Sequence, residues 1–184
     1  SLANSKVQMD TNGDGTNERI GWVGADDGLL VYDHQGDGKV TDISEISFAR
    51  YVLGAKTDLE GLRYFDLDAD GKLDVDDAEY SKFSIWQDKN SNGIVDTEEM
   101  VSLAQKGIVS ISLQSDNDMT VIQGNTVTGF TRYETADGGS YLAADVQLST
   151  GKVISPIQEA DVISDINQLD LSSVSSQPIT SSVE

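Results

Sequence analysis

The sequence predicts an α+β fold: an N-terminal β-hairpin, EF-hand-like calcium loops joined by short helices, and a C-terminal run of antiparallel β-strands. Three observations predict it. Acidic loop patterns begin at Asp10, Asp33, Asp66 and Asp88. The segments between them carry apolar residues at helical spacing. Beyond Gly107 the apolar period drops to two, as in half-buried strands.

A twelve-residue EF-hand loop takes its oxygens from positions 1, 3, 5, 7, 9 and 12, with position 7 contributing a backbone carbonyl and position 6 a glycine that turns the chain. The first loop places Asp10, Asn12, Asp14, Thr16 and Glu18 at positions 1, 3, 5, 7 and 9. Its position 12 is Gly21, so the loop is incomplete or draws its last ligand from elsewhere. Arg19 to Val23 and Leu29 to Tyr32 flank a Gly-Ala-Asp-Asp-Gly turn and predict the hairpin, with Asp26 and Asp27 as turn residues.

The second loop runs Asp33, Gln35, Asp37, Lys39 and Thr41, with Glu45 as the closing candidate one step beyond Ser44. His34 falls at a side-pointing position and reads as a surface residue. Ile43 to Leu53 and Leu59 to Phe65 predict two helices, with Ile46, Phe48, Tyr51, Val52, Leu62 and Phe65 toward the core. The third loop follows at once: Asp66, Asp68, Asp70, Lys72, Asp74 and Asp77. Aspartate at position 12 is one methylene shorter than the usual glutamate.

A short helix over Asp76 to Trp86 is predicted between the third and fourth loops. The fourth fits the EF pattern at every position: Asp88, Asn90, Asn92, Ile94, Asp96 and Glu99, with Gly93 at position 6. A helix from Glu98 to Gln105, stopped by Gly107, is expected next. Strands follow at Ile108 to Leu113, Thr120 to Ile122, Thr126 to Glu134 and Tyr141 to Leu148, with Asp137-Gly138-Gly139 as a hairpin turn. Trp22, Phe83, Trp86 and Phe130 are expected in the core. Residues 1–150 read as one calcium-binding module. Residues 151–184 read as a short helix, Ile157 to Leu169, and a Ser-rich linker or tail.

Composition narrows the function. Against 12 basic residues stand 32 acidic ones, a formal charge of −20 that repels nucleic acid and anionic membranes and attracts cations. About four Ca²⁺ ions are expected as cofactors. No apolar run reaches the ~18 residues of a membrane span. Cysteine is absent, so bound calcium would supply cross-linking that disulfides supply elsewhere. Millimolar calcium is an extracellular condition, so the expected location is secreted or at a bacterial cell surface. The first residues do not read as a signal peptide, and the chain looks like a piece of something longer. No nucleophilic constellation assembles from the sequence, and the loops account for most of the carboxylates.

Four blocks carry a resemblance: Gly21-Trp-Val-Gly-Ala-Asp-Asp-Gly-Leu-Leu-Val-Tyr-Asp33, Ile85-Trp-Gln-Asp-Lys-Asn-Ser-Asn-Gly93, Leu103-Ala-Gln-Lys-Gly-Ile-Val-Ser-Ile111 and Gly129-Phe-Thr-Arg-Tyr-Glu-Thr-Ala-Asp-Gly138. With the loop at Asp66 they make residues 7–148 resemble the self-processing module of FrpC-type RTX proteins. The resemblance implies a calcium-folded module of a large adhesin or toxin exported by a type I system. Its partners would be neighbouring domains of that chain; a second alternative reading is an adhesin domain that meets a host or cell-surface protein or glycan through the β-rich C-terminal half. The resemblance also implies calcium-triggered cleavage of an Asp-Pro bond just before the first loop, through attack of the aspartate on its own peptide carbonyl. The anhydride so formed would open to water or a lysine amine. Here the prolines follow Ser155 and Gln177, and Ser5-Lys6 stand at the matching place. A serine cannot form the anhydride, so these residues carry over the calcium scaffold and not the chemistry; the alternative reading is a calcium-triggered autoprocessing module whose Asp-Pro bond lies further upstream in a longer chain. No catalytic residue is assigned.

Overall fold

The computed structural model describes residues 2–151. Among them the architecture is three antiparallel sheets, not the predicted α+β arrangement. The first sheet is β1 (Gln8–Met9), β2 (Glu18–Ile20) and β11 (Thr150–Gly151), in the order β1-β2-β11. The second is β3 (Leu29–Tyr32), β5 (Phe83–Trp86) and β6 (Met100–Ser102), in the order β3-β5-β6. The third holds β4 (Lys72–Asp74), β7 (Ile108–Ser112), β8 (Thr120–Ile122), β9 (Asn125–Thr135) and β10 (Ser140–Gln147). Its order is β10-β9-β7-β4, and β8 also pairs with β9. The single α-helix among the described residues, α1, spans only Asp58–Leu62.

Each predicted helix fails for a local reason. Ile43 to Leu53 resolves into two 3₁₀ turns, Ile43–Glu45 and Ala49–Tyr51. The amides of Phe48 and Ala49 donate to Asp58 Oδ1 at 2.7 and 2.9 Å instead of to carbonyls one turn back. Leu59 to Phe65 keeps one turn and a half as α1. Asp76 to Trp86 becomes a 3₁₀ turn, Tyr80–Lys82, running into β5. The Glu98 to Gln105 helix is replaced by β6, because Glu98 itself is left-handed (φ 68°) and Met100 pairs with Trp86. The predicted N-terminal hairpin is also absent: β2 pairs with β1 and β11, and β3 pairs with β5. The C-terminal strands and the Gly138 turn (φ 85°) lie where the period-two pattern places them. The helix expected at Ile157 to Leu169 lies outside the described residues.

Two apolar cores flank the β3-β5-β6 sheet. Successive strand residues point to opposite faces. Tyr32 and Phe83 enter a core with Phe48, Leu62, Phe65, Leu73 and Ile111, whereas Val31 and Trp86 enter one with Val7, Ile20 and Trp22. Phe130 is half-buried on β9 rather than in either core. The second, third and fourth loops are built onto these cores through position 8, where Leu73 is fully buried and Val40 and Val95 pack against the second core, whereas Asn17 at position 8 of the first loop is exposed. The first loop joins β1 to β2, with Met9 opposite Glu18; the fourth joins β5 to β6, with Trp86 opposite Met100. Both are hairpin loops, and a hairpin leaves no room for flanking helices.

Candidate metal centres

All four acidic loops share one backbone. Position 4 is left-handed in each (Gly13, Gly36, Ala69 and Ser91, φ 56–77°), and so is position 6 (Gly15, Gly38, Gly71 and Gly93, φ 68–86°). Glycine meets the second requirement without steric cost. In each loop the position-1 carboxylate gathers the turn. Oδ2 of Asp10, Asp33, Asp66 and Asp88 accepts the position-6 amide at 2.8, 2.9, 3.0 and 2.8 Å. The position-5 side chain in turn accepts the position-7 amide: Asp14 from Thr16, Asp37 from Lys39, Asp70 from Lys72, and Asn92 from Ile94, at 2.7–3.0 Å. The amides around Asp10, Gly15 foremost, hold its carboxyl below the usual carboxylate range.

The closing carboxylates also follow a rule. Glu99 accepts the amides of Lys89 at position 2 (3.0 Å) and Asp96 at position 9 (3.1 Å). Asp77, despite its shorter side chain, makes the same two bonds to Leu67 (2.8 Å) and Asp74 (3.0 Å). Glu45 accepts from Thr41 at position 9 of its loop (2.7 Å), so it occupies the closing place although it lies at position 13. In the first loop Glu18 takes the position-2 amide and hydroxyl of Thr11 at 3.0 and 2.7 Å. A closing side chain at residue 21 would have no space: a Cβ there would sit 2.2 Å from Asn125 Oδ1. Glu18, at position 9, thus makes the position-2 contact that the last acid makes in the third and fourth loops.

Burial sorts these groups. Glu45, Asp77 and Glu99 are 0, 6 and 5% exposed, and Asp88 is 1% exposed, while the mid-loop side chains Asn12, Asp14, Gln35, Asp37, Asp68, Asp70, Asn90 and Asn92 face solvent. Glu45 Oε1 is buried with no hydrogen-bond partner among the described residues, and His34 Nδ1 lies 3.8 Å away. His34, on the surface as expected, stacks on Tyr32. Oxygens of Asp66, Asp68 and Asp70 lie within 4.8 Å of one another, close enough for one cation to bridge. Position-9 groups are engaged otherwise: Asp96 Oδ2 accepts from the side-chain Nδ2 of Asn90 and of Asn92, and Asp74 Oδ1 from the backbone amide of Asp76. Gln35 Nε2 reaches Thr41 Oγ1 at 3.5 Å. The donors are all hard oxygens, which suits a calcium-sized cation better than zinc or copper.

Two residues at the fourth loop escape any local pattern. Trp22 Nε1 donates to Asp88 Oδ2 at 2.7 Å, and Trp86 Nε1 approaches Glu99 Oε2 at 3.5 Å. Both of the chain's tryptophans therefore address the first and last acids of one loop. Trp22 is 66 residues from Asp88, and no spacing rule connects them.

Comparison with known proteins follows the same boundaries. The "Iron-regulated protein FrpA" of Neisseria meningitidis serogroup C is 29% identical over 162 residues, 82% of this chain. The chain spans 14% of that relative's length. The SPM domain family matches residues 1–149, which takes in all four loops and nearly every described strand. This chain belongs to the SPM domain family.

Proposed function

We propose that the chain is a calcium-folded structural module of a longer secreted protein of the RTX kind, with about four Ca²⁺ ions held in its loops. Glu45 carries the reading. A fully buried carboxylate with one oxygen unpartnered costs about 1–3 kcal/mol or more, and a cation in the loop is the group that would satisfy it. Asp33 and Glu45 would hold that ion from opposite sides; Asp66, Asp68, Asp70 and Asp77 would do so in the third loop, and Asp88, Asn90, Asn92 and Glu99 in the fourth. Glu18 would close the first. The bound ions would offset part of the −20 charge and tie each hairpin to its core. Likeness to an FrpA segment supports secretion, and no helix among the described residues is long and apolar enough to cross a membrane.

Calorimetric titration of the chelator-stripped protein with Ca²⁺ tests this. Heat with a stoichiometry near four is expected. Glu99→Gln should weaken one site about 10- to 100-fold, as loss of an ordered ligand shell does, while Asp26→Asn on the exposed Gly24–Asp27 turn should leave the isotherm unchanged. Absence of heat from the unmodified chain would end the reading. Calcium should order this chain without cutting it, because Ser5-Lys6 offer no carboxylate to attack the peptide; mass spectrometry after calcium incubation checks this.

A further inference from the structure

The chain contains two Asn-Gly pairs, Asn12-Gly13 and Asn92-Gly93, and each lies inside an acidic loop. Glycine has no Cβ to keep its backbone nitrogen away from the preceding side chain, so such a pair is disposed to close into a succinimide with loss of ammonia. In both loops the glycine amide is held elsewhere. Gly93 N donates to Asp88 Oδ2 at 2.8 Å and Gly13 N to Asp10 Oδ1 at 2.7 Å, each to the position-1 carboxylate. The asparagine carbonyl is engaged as well: Asn92 Oδ1 accepts the Ile94 amide at 2.7 Å, and Asn12 Oδ1 the Asp14 amide at 2.8 Å. Ring closure needs the deprotonated amide, and taking a proton that a carboxylate holds would set one anion against another. Asp88 is itself fixed, 1% exposed and bonded through the same oxygen to the Trp22 indole. Both asparagines face solvent, so water has access to them. Asn92 has a further distinction. It stands at position 5, where the other three loops carry Asp14, Asp37 and Asp70.

We infer that Asn12-Gly13 and Asn92-Gly93 are latent deamidation sites, each silent while the position-1 carboxylate holds the glycine amide and converted when the loop opens. At the fourth loop, Gly93 N attacks Asn92 Cγ. The N–Cγ bond forms, the Cγ–Nδ2 bond breaks, and the proton lost from Gly93 N leaves with Nδ2 as ammonia. Water then opens the imide in one of two ways. Breaking N–Cγ restores the backbone and leaves aspartate. Breaking the bond from N to the backbone carbonyl carbon leaves isoaspartate, with the chain rerouted through the side chain. Aspartate gives the fourth loop the position-5 carboxylate of the other three and adds a charged oxygen, which tightens a calcium loop. Isoaspartate lengthens the chain by a methylene inside the turn and moves the position-5 oxygen out of register. The effect on cation affinity rests on the calcium reading of the loop; the covalent step and its suppression by Asp88 do not.

Peptide mass spectrometry after incubation in mildly alkaline buffer tests it, scoring the amide-to-acid mass gain at each asparagine. In folded wild type with Ca²⁺ both sites should convert at least about tenfold more slowly than in urea, because only the open loop reacts. Equal rates in the two conditions would overturn the inference. Asp88→Asn should speed Asn92 on the order of tenfold while leaving Asn12 within about twofold. Unchanged conversion at Asn92 would overturn the role of Asp88. Should Asp88→Asn unfold the chain, shown by Asn12 reaching its rate in urea, Asp10→Asn decides, because it alters an exposed loop. It should speed Asn12 and spare Asn92, and no acceleration at Asn12 would overturn the protection by position 1. Asn92→Asp stands for the converted loop, and its Ca²⁺ titration should show one site about two- to tenfold tighter than in wild type. An unshifted titration would overturn the tightening. If wild type takes up no calcium, the calcium reading has failed, and the ratio of folded to unfolded rates still judges the covalent step.

Discussion

Glu45 shows how one side chain can set the sign of a stability change. Its Oε2 accepts amides of Thr41 and Asp42, and its Oε1 is buried without a hydrogen-bond partner among the described residues. Without calcium this charge is a burden. Glu45→Gln keeps an oxygen for the two amides and removes the buried charge, so the chelated variant should melt above chelated wild type. With saturating calcium the order should reverse, because glutamine cannot give a cation two charged oxygens. Paired melting curves, with chelator and with Ca²⁺, check both signs. A variant that melts higher in both conditions would mean that no ion reaches Glu45.

At the scale of elements, α1 is defined by what crowds it. Gly61 is buried mid-helix, where alanine would ordinarily add about 1 kcal/mol of helix propensity. A Cβ there, however, would lie 1.9 Å from the Phe48 carbonyl oxygen, which belongs to the neighbouring 3₁₀ turn and cannot simply swing away. Gly61→Ala should therefore destabilise by about 1–3 kcal/mol, read as a lowered urea midpoint. Two acids tie the same helix into the fold. Asp145 on β10 accepts the Leu59 amide at 2.9 Å, and Asp58 Oδ1 accepts those of Phe48 and Ala49. Burial pushes the Asp58 carboxyl above its ordinary range, against the pull of those amides, and nearby Asp145 pushes the same way. The folded pKa exceeds the unfolded one, so this contribution is fully present below the unfolded pKa and is lost as pH rises through the folded value. Asp58→Asn retains an Oδ1 acceptor without the charge. It should gain stability relative to wild type at pH 7, and that gain should shrink toward pH 4. Urea denaturation at the two pH values measures the difference.

The whole molecule carries a formal charge of −20, and its self-repulsion opposes the compact state. Salt and calcium should then relieve the same strain in different ways. In chelator, raising NaCl from 0.1 M to 1 M shortens the screening length from about 10 Å to about 3 Å and should raise the melting temperature. In Ca²⁺ the same salt should raise it less, or lower it, since screening also weakens ion binding. A calorimetric scan of the four conditions would reveal it. If salt stabilises equally with and without calcium, the carboxylates of the loops are not the source of the repulsion.

The sequence by itself determined what depends on neighbours along the chain. The acidic spacing marks loops whose left-handed turns are made by residues four and six places in, and the period-two alternation after Gly107 marks β7 to β10. Both are local: a turn is a matter of a few dihedral angles, and a strand's two faces alternate whatever lies across from them. Tertiary structure alone decided what flanks the loops. Phe83 to Trp86 and Met100 to Ser102 became a hairpin because each strand has a core on one side or both, and the two strands supply each other's backbone bonds. The Ile43 to Leu53 helix was lost to an acid ten residues from Phe48 that claimed two amides first. Glu18 holds Thr11 in the first loop, while Asn125 and Ser149 stand where a position-12 side chain would have gone. Trp22 met Asp88 only because the chain folded back across 66 residues. Such contacts are decided by competition among distant groups for the same space and the same hydrogen bonds, and linear spacing carries no record of that competition.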